Sequence, residues 1–198
     1  MEREDRIVTV PNLISVARLL CAPVFVWLLA VNEDIAAALV LGLLGATDWV
    51  DGWIARHFDQ GSSLGKVLDP LADRVLLLVA AIALIVDGAV PVVIGVLVLV
   101  REFAVSVAVL ALAVAGARRI DVQWAGKAGT LSVMFAFPLF LLADNIDTGH
   151  SLVLAAAWFF AVAGLVLGYY AAITYFPMAR DALREGRARA ATPESVAP

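Results

Sequence analysis

Residues 48–74 read DWVDGWIARHFDQGSSLGKVLDPLADR and contain five aspartates. The apolar run IAAALVLGLLGA ends just before this stretch, and the apolar run LLLVAAIALIV follows it. Ionisable side chains are costly inside a membrane, and those that occur there usually serve a function. The placement of carboxylates between two apolar runs therefore bears on both the fold class and the functional site.

The composition of the chain is that of a membrane protein. The 198 residues are 63% hydrophobic, and their mean hydropathy is +0.94. Soluble domains are about half apolar, so the excess points away from an ordinary soluble domain. Cys21 is the single cysteine, which excludes an intrachain disulfide.

Six apolar segments predict an all-α integral membrane protein with six transmembrane helices. Each is close to the ~20 residues that a helix needs to cross the hydrocarbon layer. They cover residues 13–31, 35–56, 66–86, 90–117, 126–143 and 151–176. We expect residues 11–18, PNLISVAR, to begin as a short interfacial N-terminal helix. Residues 1–179 then form the membrane domain, and the basic, polar residues 180–198 are predicted to be a disordered cytoplasmic tail.

The distribution of lysine and arginine predicts the orientation. These residues occur before the first span, around the second and fourth loops and after the sixth span, whereas the other three loops have none. Cytoplasmic loops carry the excess of Lys and Arg, so we expect a multi-pass protein of the cell membrane with both termini and the active site on the cytoplasmic side.

The aspartates form two pairs with helical spacing. Asp48 and Asp51 are three residues apart, which places them within about 60° on a helix, and Asp69 and Asp73 are four apart, within about 40°. A short loop joins the two helices, so we expect the pairs to face each other at one depth. Four adjacent carboxylates require cations, and Mg²⁺ and Mn²⁺ prefer oxygen ligands. Two such ions are the usual clamp for displacement at phosphorus.

Two other interpretations of the aspartates remain open. They could form structural ion pairs between packed helices, with Arg56 and Arg74 offsetting part of the charge. They could also form the ion path of a cation transporter, which would need acidic residues on both sides of the midplane or a broken helix. The ionisable residues gather toward the cytoplasmic half, which favours an enzyme. The small residues Gly52, Ala55 and Gly65 leave room there for a bulky ligand.

The pattern D-x2-D-G-x2-A-R-x8-G-x3-D-x3-D, from Asp48 to Asp73, resembles the signature of the CDP-alcohol phosphatidyltransferases. The resemblance implies six spans with cytoplasmic termini, a homodimer, and metal-dependent transfer of a substituted phosphate from a CDP-linked donor to an alcohol, with release of CMP. It implies that Asp73 is the general base. The implied ligands of two Mg²⁺ or Mn²⁺ ions are Asp48, Asp51, Asp69 and Asp73, and the implied donor-binding residues are Gly52, Ala55, Arg56 and Gly65.

Other stretches bear on the acceptor alcohol. VPNLISVARLL, LDPLADR, REFAVS and GKAGT resemble the bacterial phosphatidylglycerophosphate synthases, which use glycerol 3-phosphate. Gly129 and Leu110 depart from that group, in which a lysine and an arginine tend to occupy these positions. Residues 122–143 also resemble actinobacterial cardiolipin-synthase-like proteins, which would use phosphatidylglycerol. The inositol-phosphate branch fits less well, because it tends to lack the proline of LDPLAD. Taken together, these stretches favour glycerol 3-phosphate as the acceptor, with CDP-diacylglycerol as the donor.

A basic cluster is predicted to bind the phosphate of this acceptor through charge-assisted hydrogen bonds. Its members are Arg101, Arg118, Arg119 and Lys127. The alternative is that Arg101 only neutralises Glu102 and that Lys127 is a membrane anchor. The expected partners are the lipid bilayer, the two substrates and a second copy of the chain, and no nucleic acid is expected.

Overall fold

The computed structural model describes residues 10–58, 65–114 and 124–191, which form helices joined by short turns. The prediction of an all-helical protein is confirmed, and the described residues contain six helices. These are α1 (Val10–Ala30), α2 (Asp34–Phe58), α3 (Gly65–Asp87), α4 (Val92–Val114), α5 (Trp124–Asp144) and α6 (His150–Ala191).

The first and last helices are longer than the sequence predicts. Helix α1 is continuous from Val10, so residues 11–18 belong to it and do not form a separate interfacial helix. Pro11 lies in its first turn, where the missing N–H has no intrahelical partner to lose. Helix α6 continues to Ala191, past the predicted start of a disordered tail at residue 180. The segment is rich in Ala and Arg, which have high helix propensity. The division into two domains stays a prediction.

The helices pack around α1 and α5. Helix α5 has its most extensive contact with α6 and also packs on α2, while α1 packs on both α2 and α3. Helix α4 lies against α3 and α6. Among the described residues, α2 packs on α1 and α5, and α3 packs on α1 and α4. The two aspartate-bearing helices are therefore connected through α1. The predicted pairing of α2 and α3 at their aspartate-bearing ends stays a prediction.

The core between these helices is apolar and tightly filled. Phe25 of α1, Leu76 and Leu84 of α3, and Phe137 and Phe140 of α5 are at most 2% exposed. Large side chains from three helices thus meet in one cluster with the alanines of α2 and α6.

Three turns that lack lysine and arginine lie together at one end of the bundle. They join α1 to α2, α3 to α4 and α5 to α6. Burial raises the pKa of Asp87 at the end of α3, and the charges of Asp34 at the start of α2 and of Asp144 at the end of α5 raise it further, against a lowering by a backbone hydrogen bond from Ala89. The helix ends that carry these three carboxylates lie at the opposite end of α2 and α3 from the aspartate motif.

Exposed apolar side chains form a stripe on α6. Leu152, Phe159, Val166 and Ile173 follow one another at intervals of seven residues and are each more than 60% exposed. Seven residues are close to two helical turns, so these side chains share one face. Large exposed apolar patches on a folded protein mark a membrane or a protein partner.

Similar stripes occur on two other helices. On α1 the stripe consists of Leu13, Leu20 and Trp27, and on α4 it consists of Val93, Val100 and Val107. Two described helical segments, Trp124–Asp144 and His150–Thr174, are long and apolar enough to cross a membrane. The apolar exterior and these two candidate spans describe a membrane-associated protein.

Three glycines bring the backbones of α5 and α6 into direct contact. A Cβ atom built on Gly129 would lie 2.8 Å from the backbone nitrogen of Gly168 and 3.0 Å from the carbonyl oxygen of Gly164. Gly164 and Gly168 form a GxxxG pattern, which allows close helix packing in membranes. The contact leaves no space for a side chain at position 129.

This contact predicts opposite effects of alanine at two helical glycines. Gly129→Ala should lower the free energy of unfolding by about 1–3 kcal/mol, because the methyl group would overlap with backbone atoms of α6. Gly42→Ala is the matched control, since its Cβ would lie 3.8 Å from Pro138 in ordinary contact. The control should be neutral or stabilising by up to about 1 kcal/mol, because alanine favours the helix. Thermal unfolding in detergent measures both, and equal effects would contradict the close contact.

Candidate active site

The aspartate motif lies on the ends of two unbroken helices. Asp48 and Asp51 are in the last turns of α2, and Asp69 and Asp73 are in the first turns of α3. The helical spacing on which the prediction rests is therefore present in both pairs. The side chains of Asp48, Asp51 and Asp69 are outside the described residues, so their predicted convergence stays a prediction.

The predicted donor-binding residues share these two helix ends. Gly52, Ala55 and Arg56 follow the aspartates on α2, and Gly65 is the first residue of α3. Their side chains and surroundings are also outside the described part of the chain. Their role in donor binding stays a prediction based on their position beside the aspartates.

Asp73 is held by a buried arginine from α1. Nη1 of Arg18 donates a hydrogen bond to Oδ1 of Asp73, and the two side chains form an ion pair. The Arg18 side chain is 0% exposed, and the Asp73 side chain is 23% exposed. The carboxylate thus faces a buried cation on one side and remains accessible on the other.

Arg18 is a site residue that is missing from the set predicted by sequence. Its partner is 55 residues away, and no local pattern in the sequence connects them. A signal was nevertheless available, because Arg18 lies within the apolar run of α1, where a cation requires a counter-ion. Ser15, three residues earlier, is also fully buried, so α1 has a polar face directed into the bundle.

Arg101 lies inside a polar network between α4 and α5. Its Nη1 donates to Oε1 of Glu102 and, over 2.9 Å, to Oγ1 of Thr130. Its Nη2 donates over 3.2 Å to the carbonyl oxygen of Gly126. Arg101 and Glu102 are 7% and 5% exposed. The guanidinium charge is therefore neutralised within the protein and also lies against α6, where a Cβ on Gly168 would be 2.8 Å from Nε.

The other members of the predicted basic cluster are differently placed. Lys127 is exposed, although it directly follows Gly126, whose carbonyl binds Arg101. Arg118 and Arg119 are outside the described residues. The structure brings Arg101 near the start of α5, and the predicted contact of the cluster with an acceptor stays a prediction.

The chemistry of the motif fits a hard divalent cation. Carboxylate oxygens are the preferred ligands of Mg²⁺ and Mn²⁺, and the Arg18 bond occupies Oδ1 of Asp73, leaving Oδ2 outside that bond. The described side chains include no group of three or more His, Cys, Asp or Glu residues placed to hold a metal. Three of the four predicted ligands are outside that set, so the metal site rests on the helical register of the aspartates.

Comparisons with known proteins agree with the motif. A family model described as CDP-alcohol phosphatidyltransferase matches residues 8–170. A cardiolipin synthase (CMP-forming) of Streptomyces coelicolor is 38% identical over 186 residues, which cover 91% of this chain and 86% of the relative. A CDP-diacylglycerol–glycerol-3-phosphate 3-phosphatidyltransferase of Rickettsia typhi is 32% identical over 178 residues, which cover 84% of this chain and 98% of the relative. These similarities give no support to a cation transporter.

The Arg101 network predicts that Glu102 stabilises the fold. Glu102→Gln should lower the free energy of unfolding by about 3 kcal/mol, because it leaves a buried cation without its counter-ion. Thr130→Ser is the control, since serine retains a hydroxyl oxygen that can accept from Arg101. Thermal unfolding and the yield of folded protein measure the effect, and a variant with unchanged stability would show that Arg101 is neutralised elsewhere.

Proposed function

The chain belongs to the CDP-alcohol phosphatidyltransferase family, and we propose that it transfers the phosphatidyl group of CDP-diacylglycerol to phosphatidylglycerol with release of CMP. The aspartate motif on the ends of two unbroken helices is the observation that supports this proposal, together with a family match that includes it. The enzyme class, a phosphatidyltransferase of phospholipid biosynthesis, follows from the family itself. The identity of the acceptor alcohol is the part of the proposal that goes beyond the family.

The four aspartates would hold the metal ions. Family members generally depend on divalent metals, and Asp48, Asp51, Asp69 and Asp73 would be the ligands of two Mg²⁺ or Mn²⁺ ions. Such ions, when bound, neutralise charge on the phosphate oxygens and on the leaving group. Protein side chains would carry out the proton transfer and bind the two substrates.

Asp73 would act as the general base. It would accept the proton of the acceptor hydroxyl, whose oxygen forms a bond to the phosphorus that carries the diacylglycerol. The bond from that phosphorus to the bridging oxygen of the pyrophosphate breaks, and CMP leaves. The accessible side of the Asp73 carboxylate is compatible with this contact. Gly52, Ala55, Arg56 and Gly65 would bind the nucleotide part of the donor.

The charges near α5 favour phosphatidylglycerol over glycerol 3-phosphate. A phosphomonoester carries close to two negative charges at neutral pH, whereas the phosphodiester of phosphatidylglycerol carries one. Arg101 already bonds to Glu102, Thr130 and Gly126. A lysine at position 129 would overlap with the backbone of α6. The cations that remain for the acceptor suit the single negative charge of the phosphatidylglycerol headgroup. Lys127, Arg118 and Arg119 are the proposed contacts, and Arg101 would lie behind them inside the protein.

Glycerol 3-phosphate is the second candidate. The stretches LDPLADR and REFAVS favour it, and the similar protein of Rickettsia typhi is named for it. The similarity to the Streptomyces coelicolor protein, named a cardiolipin synthase, is higher at 38% identity against 32%. This difference agrees with the charge argument, and an assay with each acceptor separates the two reactions.

We further propose that all six helices span the cell membrane, with both termini and the active site on the cytoplasmic side. The exposed apolar stripes on α1, α4 and α6 support contact with lipid on several sides of the bundle. The cation-free turns at one end and the lysines and arginines at the other support the orientation. The acyl chains of the donor could then stay in the bilayer while its headgroup reaches the aspartates. A homodimer is proposed from the family resemblance.

Loss of a single metal-binding carboxylate should abolish turnover. Asp51→Asn should reduce metal-dependent CMP release at least about a hundredfold while the protein remains folded, because charge stabilisation at the reacting phosphate is lost. Asp34→Asn is the matched control on the opposite end of the same helix and should retain activity. Chelation should stop the wild-type reaction, and Mg²⁺ or Mn²⁺ should restore it. Normal turnover by Asp51→Asn would remove the two-metal proposal.

The acceptor prediction is tested with purified protein and CDP-diacylglycerol. Phosphatidylglycerol should support CMP release and cardiolipin formation, measured by mass spectrometry, and glycerol 3-phosphate should not. Lys127→Ala should raise the KM for phosphatidylglycerol about fivefold without changing that for the donor, because one exposed charge-assisted contact is lost. Lys127→Arg keeps the charge and serves as the control. CMP release with glycerol 3-phosphate alone would establish the second candidate.

A further inference from the structure

We propose that Arg18 is a positioning residue for the transfer reaction, which holds the Asp73 carboxylate in the orientation that accepts the acceptor's proton. The inference rests on the proposed role of Asp73 as the base. It assigns to α1 a function in the reaction, although the predicted catalytic, metal and substrate residues all lie on other parts of the chain. Arg18 acts through Asp73 and need not contact either substrate.

The geometry of the pair supports this role. Nη1 of Arg18 binds Oδ1 of Asp73, so the rotation of the carboxylate is restricted. The Arg18 side chain is completely buried, while Asp73 is partly accessible. A buried donor behind a partly accessible carboxylate is the arrangement expected for orientation of a reacting group.

The packing of α1 in the bundle supports the Arg18–Asp73 pair. Helix α1 packs on both α2 and α3, the two helices that carry the aspartates. Phe25, two turns after Arg18 on the same face, is fully buried in the core. Because α1 is fixed on both sides, the position of the guanidinium relative to the α3 backbone is fixed as well.

Stability alone is a weak explanation for the pair. A buried salt bridge can often be replaced by apolar side chains of similar size without loss of stability, because desolvation of the two charges offsets their attraction. A buried arginine aimed at one of the four motif aspartates is better explained by the geometric requirement of that aspartate.

The proposal predicts a selective effect on kcat. Arg18→Met removes the bond but keeps most of the side-chain volume, and it should lower kcat by about tenfold to a hundredfold, the loss expected when a reacting group is misplaced by about 1 Å. The KM values for CDP-diacylglycerol and for phosphatidylglycerol should change less than threefold. Arg18→Lys keeps the charge without the planar fork, and its kcat should lie between those of wild type and Arg18→Met.

Phe25→Ala is the control for a merely structural effect. It removes a buried core side chain from the same helix without touching the pair, so it should lower the midpoint of thermal unfolding while the folded enzyme keeps its kcat. Activities are compared per folded protein at a temperature below all unfolding transitions. If Arg18→Met is not recovered in folded form, the same comparison is made between Arg18→Lys and Phe25→Ala.

The outcomes separate this inference from the proposed function. A wild-type kcat for Arg18→Lys and Arg18→Met, or a decrease no greater than that of Phe25→Ala, would overturn the positioning role. Asp73→Asn is measured in parallel, and normal turnover by that variant would instead reject Asp73 as the base. An inactive Asp73→Asn enzyme, with a graded loss of kcat from wild type through lysine to methionine at position 18, is the expected result.

Discussion

Burial of charge in an apolar helix bundle is the constraint on which the rest of this structure depends. A cation inside such a bundle requires a counter-ion or several hydrogen-bond acceptors within reach of its own side chain. Arg18 meets this requirement with Asp73 and thereby ties α1 to α3. Arg101 meets it with Glu102, Thr130 and Gly126 and ties α4 to α5. The two arginines thus fix helix positions, and they differ in exposure: the Asp73 carboxylate is partly accessible, whereas the Arg101 guanidinium and Glu102 are both buried, and Nε of Arg101 takes no part in these hydrogen bonds.

The part of the fold that depends on local patterns could be predicted from the sequence. Hydrophobic segments and charged breaks predict six helices, and the spacing of Asp48, Asp51, Asp69 and Asp73 is realised on helices as expected. The contacts between distant segments could not be predicted in this way. A single sequence contains no signal that joins Arg18 to a residue 55 positions later, and none that places α1 against both aspartate-bearing helices.

The contact between α5 and α6 shows the same limit. The GxxxG pattern at Gly164 and Gly168 indicates a face suited to close packing, but it names no partner. The partner is Gly129, which the sequence marks only as a departure from a lysine-bearing pattern. The glycine that replaces a lysine at position 129 is therefore the same residue that allows the close contact between α5 and α6. The absence of a lysine here follows from the packing of α6, and introducing one at this position would require the two helices to separate.

A lipid acceptor changes the demands on the binding site. Phosphatidylglycerol, like the donor, could keep its acyl chains in the bilayer, where hydrophobic burial already retains it. The protein would then need only to orient a monoanionic headgroup and an attacking hydroxyl, whereas a water-soluble dianion must be captured from solution by charge alone. On the proposed function, the neutralised Arg101 and the lack of space at Gly129 are compatible with efficient catalysis. The attacking hydroxyl would be oriented by Asp73, which Arg18 holds in place, rather than by a strongly positive acceptor pocket.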